Sequence, residues 1–263
     1  FLEGHLHNVK GLLNIQAGDG RHLLMISDEA SMHSDGSFAL PILISDDRAA
    51  SISRAVDAGN DSEFSVLSEI YLVGLAPAPI SYGASDIGNF SDGVTYWTGF
   101  GDDRVVIDGT HVRDIEGMRT VTGLNTGLGD DHVTVDLQNG IDGFFALHTQ
   151  GPYTGFLEFR DADVVRAQLS TLPLVIFGGQ DDDDIFAGQA DDIVFGDRGQ
   201  YVSLDDIGGI GLRLGSGGLN DITDGVLRGA TLLKTVEPTI GGKDRIISRD
   251  GDDIIFGGIN ADV

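Results

Sequence analysis

The stretch GGQDDDDIFAGQADDIVF, at residues 178–195, decides the fold because it contains one nine-residue pattern twice in succession. Each copy starts with small residues, has Asp at its fifth and sixth positions and ends in apolar residues. Glycine at the start favours a tight turn, since it reaches backbone angles that other residues avoid. The apolar end favours a short strand. Repeated turn-and-strand units of this kind are typical of a solenoid.

The pattern recurs on both sides of this stretch. Further full copies are TGFGDDRVV at 98–106, TGLGDDHVT at 126–134 and SRDGDDIIF at 248–256. Shortened copies are GGKDRII at 241–247 and GGINADV at 257–263, and AGDGRHLLM at 17–25 is a weaker relative without the Asp. The sixth position or its counterpart is occupied by Asp103, Asp131, Asp183, Asp192, Asp244, Asp253 and Asp262. The recurrence predicts one shared role for these carboxylates.

These units resemble the RTX, or haemolysin-type, nonapeptide GGxGxDxUx, in which U is a large aliphatic residue. The match is strongest over residues 178–197 and 241–263, about a sixth of the chain. The resemblance implies a parallel β-roll in which glycine turns bind Ca²⁺, the xUx parts form strands and two units complete one coil. Asp181 and Ala190 stand where the family has its fourth-position Gly, and Arg249 replaces a second-position Gly. These departures exclude a long perfect array.

Calcium suits this composition because it takes six to eight oxygen ligands from carboxylates, carbonyls and water. The sixth-position Asp residues supply charge, and the turn glycines expose carbonyl oxygens at low steric cost. The predicted turn glycines at the metal are Gly178, Gly179, Gly188, Gly241, Gly242, Gly257 and Gly258. The fifth-position residues are expected to point outward or to ligate through water; they are Asp102, Asp130, Asp182, Asp191 and Asp252.

One turn supplies only half of a coordination sphere, so two turns must stack around each ion. Asp244 and Asp262 are 18 residues apart, which predicts one Ca²⁺ between their loops. The loops of Asp183 and Asp192 are expected on opposite edges of the roll, and Asp197 is predicted to complete the site begun at Asp183. For any single Asp-Asp turn, a solvated surface turn is an equal alternative. The recurrence of the pattern favours metal binding.

Composition agrees with a cation-dependent protein. The 263 residues include 42 acidic and 16 basic ones, giving a net charge of −26, and only 7 of the acidic residues are Glu. Such a field disfavours nucleic acid and anionic membranes as partners. There is no Cys to form disulfides, and no apolar run is long enough to predict a membrane span. The start, FLEGHLHNVK, lacks a signal-peptide pattern, and the end falls inside a repeat, so we expect a segment of a longer chain.

The predicted fold class is all-β, a parallel β-helix or β-roll solenoid with irregular coils and loop insertions. Its predicted parts are a β-rich N-terminal segment with an insertion at 1–69, an irregular parallel β-helix at 70–177, an RTX-like β-roll at 178–199, a loop or excursion at 200–240 and a truncated β-roll at 241–263. A short helix is expected near 61–70. Strands are predicted at 94–97, 105–107, 119–123, 133–137, 144–148 and 172–177. The 28 residues from Asp103 to Asp131 have room for three short strands.

Other candidate sites are weaker. The motifs HExxH, GxSxG and GxxxxGK do not occur, so we expect no enzyme activity. His5 and His7, two apart on a predicted strand face, offer a shared metal site, although an exposed role is favoured. Several aromatic residues suit either a carbohydrate-binding face or stacking in the core, and core stacking is favoured; they are Tyr96, Trp97, Phe144, Phe145, Tyr153, Phe156 and Phe159.

The predicted function is structural: a scaffold segment of a large extracellular or cell-surface bacterial protein, such as an adhesin, surface-layer or filament protein, that is folded and rigidified by Ca²⁺. The resemblance implies type I secretion. Expected partners are calcium ions, adjoining segments of the parent chain, another copy of the chain, and cell-surface or matrix material. Two alternatives remain open. One is a non-catalytic calcium-binding part of a secreted hydrolase or toxin, and the other is a module that binds glycans, ice or a protein surface.

Overall fold

A computed structural model describes residues 4–46, 69–112, 117–151, 160–215, 217–218 and 220–263. These residues form an all-β structure, as predicted, with one short 3-10 helix at Leu6–Asn8. None of the described segments contains a helix long and apolar enough to cross a membrane. Almost all of the predicted helix at 61–70, together with Tyr153, Phe156 and Phe159, lies outside the described residues.

The described residues contain 22 strands. In chain order the first are β1 (Leu13–Gln16), β2 (Gly20–Arg21), β3 (Leu24–Ser27), β4 (Ile42–Ser45), β5 (Ile70–Val73), β6 (Ile80–Gly83), β7 (Gly88–Asn89), β8 (Val94–Trp97), β9 (Arg104–Ile107), β10 (Val121–Asn125) and β11 (His132–Val135). The others are β12 (Phe144–His148), β13 (Val164–Arg166), β14 (Leu174–Gly179), β15 (Asp184–Phe186), β16 (Ile193–Asp197), β17 (Gly199–Leu204), β18 (Ile210–Gly215), β19 (Ile222–Thr223), β20 (Leu232–Thr235), β21 (Arg245–Ile247) and β22 (Ile254–Phe256).

Two large sheets contain most of these strands. One has nine strands in the order β1-β6-β5-β4-β9-β11-β13-β15-β21, and the other has seven in the order β22-β16-β14-β12-β10-β8-β3. From β8 to β16 the chain alternates between the two sheets, and β21 and β22 continue the alternation after an excursion. Neighbouring strands in this part of both sheets are parallel. Antiparallel pairs occur in the nine-stranded sheet where β5 joins β4 and β6.

The two sheets share one apolar core. Successive strand residues point to opposite faces, so every second residue faces the other sheet. Val133 and Val135 of β11 do so from the nine-stranded sheet, and Leu147 of β12 does so from the seven-stranded sheet. Strands β8 and β12 match the predicted ranges 94–97 and 144–148, because their apolar runs are bounded by turn residues.

The coil between Asp103 and Asp131 was expected to have room for three short strands. Its described residues, 103–112 and 117–131, contain two, β9 and β10. After β9, the buried side chains of Thr110 and His111 meet the polar atoms of Asp142 and Thr120. Such side-chain contacts satisfy buried polar groups that no strand ladder reaches.

The segment 200–240, predicted as a loop or excursion, contains an antiparallel sheet in the order β19-β18-β17-β20. Tyr201, Leu212 and Leu214 of this sheet pack with Ala146 and Val175 in a second core. Ala146 and Val175 lie on the outer face of the seven-stranded sheet. The excursion therefore covers an apolar surface that would otherwise face water.

A row of stacked rings runs along that same face. His148, Phe177, Phe195 and Phe256 occupy one register position on β12, β14, β16 and β22. Consecutive ring centroids are 4.9, 5.0 and 4.6 Å apart, with interplanar angles of 7°, 11° and 5°. Parallel pairing in register places identical positions one strand spacing apart, which produces this stack.

Core packing is confirmed for three of the aromatic residues singled out in the sequence. Tyr96, Trp97 and Phe145 are buried, and Phe144 packs edge-on against Tyr201. In the described residues these rings therefore do not form an exposed aromatic face.

Replacing Phe195 by Ala should lower the free energy of unfolding by about 3–5 kcal/mol, because the substitution leaves a cavity between two stacked rings. The matched control is Phe38→Ala. Phe38 is 81% exposed and contacts the guanidinium of Arg104, so its loss should cost less than about 1 kcal/mol. Urea denaturation at a fixed calcium concentration measures both. Equal losses would contradict the stacked second core.

Candidate metal centre

Most of the predicted aspartates come together on one edge of the paired sheets, where the chain enters the nine-stranded sheet. Each residue of this group precedes a strand of that sheet or its continuation. We call the group the aspartate column; it consists of Asp35, Asp103, Asp131, Asp163, Asp183, Asp244 and Asp262. Five of the seven were predicted from the repeats.

The column is held together by one repeated hydrogen bond. The backbone N–H of each Asp, from Asp35 to Asp244, donates to Oδ1 of the Asp in the next coil, over 2.6–3.1 Å. Each interior carboxylate therefore has one oxygen fixed by a neighbouring coil. Oδ2 of Asp163, Asp183 and Asp244 is buried and receives no hydrogen bond.

Sequence reasoning missed Asp35 and Asp163. The string DVVR, which begins at Asp163, resembles DHVT, which begins at Asp131, but no glycine-rich turn sequence precedes it. Asp35 is separated from β4 by six residues, so it lacks the adjacent strand that marks the other units. A search for Asp-x-aliphatic alone would have found Asp163. Only the pairing of strands identifies Asp35.

Burial makes charge in the column costly. Asp103, Asp131, Asp163, Asp183 and Asp244 are at most 2% exposed. Burial raises the pKa of Asp103 to about 7 and that of Asp244 to about 7. Burial, together with repulsion from neighbouring carboxylates, raises the pKa values of Asp131, Asp163 and Asp183 well above their usual range. Within the described residues, no basic side chain forms a salt bridge with the column.

Three glycines let column oxygens pack against the backbone in narrow spaces that have no room for a side chain. Gly178, Gly196 and Gly257 each come directly after a phenylalanine, and these three phenylalanines pair in register in the seven-stranded sheet. A Cβ atom on Gly178 would lie 2.0 Å from the carbonyl oxygen of Gly196 and 2.5 Å from Oδ2 of Asp183. On Gly196 it would lie 2.5 Å from the oxygen of Gly257 and 2.3 Å from Oδ2 of Asp244. None of these glycines has a positive φ, so the oxygens, not the backbone conformation, exclude a side chain.

The same holds at Gly257, where a Cβ atom would lie 2.5 Å from Oδ2 of Asp262. At all three glycines a column carboxylate oxygen packs against the backbone where a side chain would otherwise lie, and at Gly178 and Gly196 a carbonyl oxygen does so as well.

The N-terminal coils fill the equivalent space with threonine. Thr98, Thr126 and Thr149 occupy the register position of the three glycines. The hydroxyl of Thr98 donates to Oδ2 of Asp103, and that of Thr149 donates to the carbonyl oxygen of Gly178 over 2.8 Å. The predicted ligand Asp103 therefore already has a polar partner inside its coil, whereas Oδ2 of Asp131 is buried without a hydrogen-bond partner.

The opposite edge contains Asp192 and Asp253, so the loops of Asp183 and Asp192 lie on opposite edges as predicted. Asp192 accepts hydrogen bonds from Leu174 N at 2.8 Å and from Gly188 N at 2.7 Å, and burial raises its pKa to about 6. Asp253 accepts one from Asp192 N at 2.9 Å. Both oxygens of Asp192 are thus bonded to backbone, unlike those of the column.

Asp197 lies at the loops of Asp244 and Asp262, although it was predicted to complete the Asp183 site. It accepts hydrogen bonds from the backbone of Gly242, at 2.9 Å, and of Ile259. Gly241 and Gly258 have φ values of 151° and 114° and approach its carboxylate so closely that a Cβ would clash. Asp197 therefore fixes these turns by accepting backbone N–H groups.

The fifth-position aspartates mostly point outward, as expected. Asp102, Asp182, Asp191 and Asp252 are exposed, and Asp130 is half-buried. Four of them also connect coils by accepting backbone N–H groups: Asp102 from Asp130, Asp130 from Ala162, Asp182 from Lys243 and Asp191 from Asp252. Gly179 has a φ of 125°, which explains why its position needs glycine.

A second type of cluster lies at the N-terminal end of the column. His5, His7 and Asp28 have ligand atoms within 4.8 Å of one another, and they form the one such group of three in the described part of the chain. The column itself offers one carboxylate per turn, so a metal there must take its other ligands from carbonyls or water. His5 directly precedes the 3-10 helix and His7 lies within it, so the two do not share a strand face, which corrects the sequence prediction.

Comparisons of the chain with protein-family models, curated proteins and solved structures found no significant match. The RTX resemblance therefore rests on the repeated residues alone.

Without metal, the protein should lose stability as pH rises. The folded state keeps protons on Asp103, Asp192 and Asp244 that the unfolded chain releases near pH 4, because their folded pKa values are about 7, 6 and 7. The stability from this proton binding is complete below pH 4 and is lost as pH rises to about 7. Melting temperatures in excess chelator between pH 5 and pH 8 should therefore fall. A rise over this range would contradict the burial of these carboxylates.

Asp163→Asn should stabilise the metal-free protein at pH 8 by about 1–3 kcal/mol, since Asn removes a buried charge that lacks a partner for Oδ2. Asn keeps the oxygen that accepts the N–H of Asp131, so the fold should persist. Asp182→Asn, at an exposed site, is the matched control and should change stability little. Urea denaturation in chelator measures both. Destabilisation by Asp163→Asn would show that its charge is already compensated.

Proposed function

We propose that this chain is an RTX-like calcium-binding segment, a two-sheet parallel β-roll that serves as a non-catalytic scaffold in a larger secreted or cell-surface bacterial protein. The observation that carries the proposal is the clustering of column carboxylate oxygens and turn carbonyl oxygens at Gly178, Gly196 and Gly257. The repeat pattern assigns Gly178 and Gly257 to the metal, and the buried Oδ2 of Asp183 beside Gly178 has no hydrogen-bond partner.

The donor atoms suit calcium. All are carboxylate or carbonyl oxygens, which are the ligands of hard cations, and neither imidazole nor thiolate is present at these spaces. Asp183, Asp244 and Asp262 supply charge, and the carbonyls of Gly196 and Gly257 supply neutral oxygens. Additional ligands would come from other turn carbonyls and water. Asp192 and Asp253 form a second line of candidates on the opposite edge.

Electrostatic repulsion explains why the column needs cations. Neighbouring strands are about 4.8 Å apart, and two charged carboxylates at that distance repel by about 3 kcal/mol at an effective dielectric of 20. Several such pairs in one column would exceed the 5–15 kcal/mol by which a typical domain is stable. Calcium would remove this repulsion, so that its binding free energy becomes folding free energy.

The alternation of strands between two sheets supports the roll. Each coil from β8 to β16 has one strand in each sheet, and parallel pairing stacks every turn on the equivalent turn of the next coil. A chain built this way gains its core and its metal sites by stacking, as repeat proteins do. A cation-dependent roll suits export as an unfolded chain that folds where calcium is abundant.

A structural role is favoured over a binding module because Tyr96, Trp97 and Phe145 are used in the cores. The second candidate is a calcium-binding accessory part of a secreted hydrolase or toxin. It shares the same sites, and it differs only in what the rest of the parent chain does. Contacts with parent-chain segments, another copy or cell-surface material are compatible with either role.

The proposal is tested by giving a C-terminal coil the residue that the N-terminal coils use. Gly196→Thr should abolish at least one calcium site, since a side chain there would occupy the space bounded by Asp244 and Gly257. The matched control is Gly229→Thr, because a Cβ on Gly229 meets nothing within 4 Å. Calorimetric calcium titration gives stoichiometry and affinity, and far-UV circular dichroism follows folding.

Wild-type protein and the Gly229 variant should bind the same number of ions and gain β-sheet signal with calcium. The Gly196 variant should bind fewer ions. Unchanged stoichiometry in Gly196→Thr would place the ions elsewhere, and a wild-type protein that binds no calcium would overturn the proposed function.

A further inference from the structure

The N-terminal end of the aspartate column differs in chemistry from the rest, because histidines surround it. Asp35 is the first residue of the column, and its N–H donates to Asp103. Asp28 follows β3 at the register position where later coils have Thr98 or Gly178, since Ser27 pairs with Trp97. The first coil thus places a carboxylate where the others place a hydroxyl or a glycine.

A short helix brings two imidazoles to that carboxylate. The 3-10 helix at Leu6–Asn8 is held by Leu6 N, which donates to Oδ1 of Asp28 over 2.6 Å. His5 and His7 lie on either side of Leu6, and their ring centroids are 5.3 Å apart. Nδ1 of His5 is 3.9 Å from Oδ1 of Asp28. The ligand atoms of the three side chains all lie within 4.8 Å of one another.

Two more ligand-type side chains adjoin this group. The ring centroid of His33 is 6.1 Å from that of His7. Asp35 is half-buried, and its Oδ2 is buried without a hydrogen-bond partner. Burial and the nearby Asp28 raise the pKa of Asp35 to about 6, while His7 and His33 lower it. An unpartnered carboxylate oxygen near the imidazoles of His7 and His33 is an arrangement that a cation would satisfy.

We propose that His5, His7 and Asp28 bind a divalent transition-metal ion of the zinc class, with His33 or Asp35 as the fourth ligand. Imidazole nitrogen with carboxylate oxygen is a common zinc donor set and is unlike the all-oxygen set of the glycine spaces. Ligands about 2.0–2.1 Å from a tetrahedral ion lie about 3.4 Å apart. The exposed rings of His5 and His7 need only small rotations to reach that spacing.

The site would join the segment that contains Leu6 to the turn after β3 at Asp28, beside the Asp35 end of the column. This inference does not depend on calcium binding by the glycine spaces.

The test is a calorimetric titration of Zn²⁺ into the full chain saturated with Ca²⁺, repeated with Co²⁺, whose visible spectrum reports a tetrahedral site. We expect one Zn²⁺ per chain, not displaced by excess Ca²⁺. The double variant His5→Ala/His7→Ala should weaken Zn²⁺ binding by at least about tenfold. The control variants His22→Ala and His132→Ala, which change histidines outside the cluster, should bind as the wild type does.

Because His5 and His7 are exposed, the double variant should fold as the wild type does. An unchanged calcium titration and an unchanged circular dichroism spectrum would verify this. Asp28→Asn is a second variant that keeps an oxygen for Leu6 N but removes the charge, and it should also weaken Zn²⁺ binding. The proposal fails if the wild type binds no Zn²⁺, if Ca²⁺ displaces the ion, or if the control variants lose as much affinity as the double variant.

Discussion

The hydrogen bond from each column aspartate N–H to the carboxylate of the next coil is the interaction on which the rest of the structure depends. It recurs from Asp35 to Asp262 across steps of 18 to 68 residues, so it sets the stacking of coils whose lengths differ. It also fixes carboxylates where water does not reach them. The fold therefore combines a directional backbone contact with buried negative charge that the chain does not neutralise by salt bridges among the described residues.

The coils place different groups beside the column carboxylates. In the N-terminal coils a threonine occupies this position, and Thr98 donates its hydroxyl to Asp103. In the C-terminal coils a glycine occupies it, and the carboxylate packs against the backbone with no room for a side chain, as at Gly178 and Asp183. Gly196 and Asp244 lie side by side in this way although the antiparallel excursion separates them in sequence.

Packing on the outer face follows from the same stacking. Parallel pairing in register aligns His148, Phe177, Phe195 and Phe256 in one row, and such a row of rings cannot be left in water without cost. The excursion supplies the cover through Tyr201 and its neighbours. The excursion is accommodated because it lies between strands that still pair directly across it, β16 with β22 and β15 with β21.

The sequence by itself determined the local units: glycine turns, strands such as 94–97 and 144–148, and the sixth-position carboxylates, because turn geometry and two-residue alternation depend on adjacent residues. It also determined the charge that these units carry. Only the tertiary structure decided that Asp35 and Asp163 join the column, that the described residues of the longer coils form two strands, and that His5 and His7 meet Asp28. Those relations are set by strand pairing between residues that lie tens of positions apart, and no spacing within one repeat encodes them.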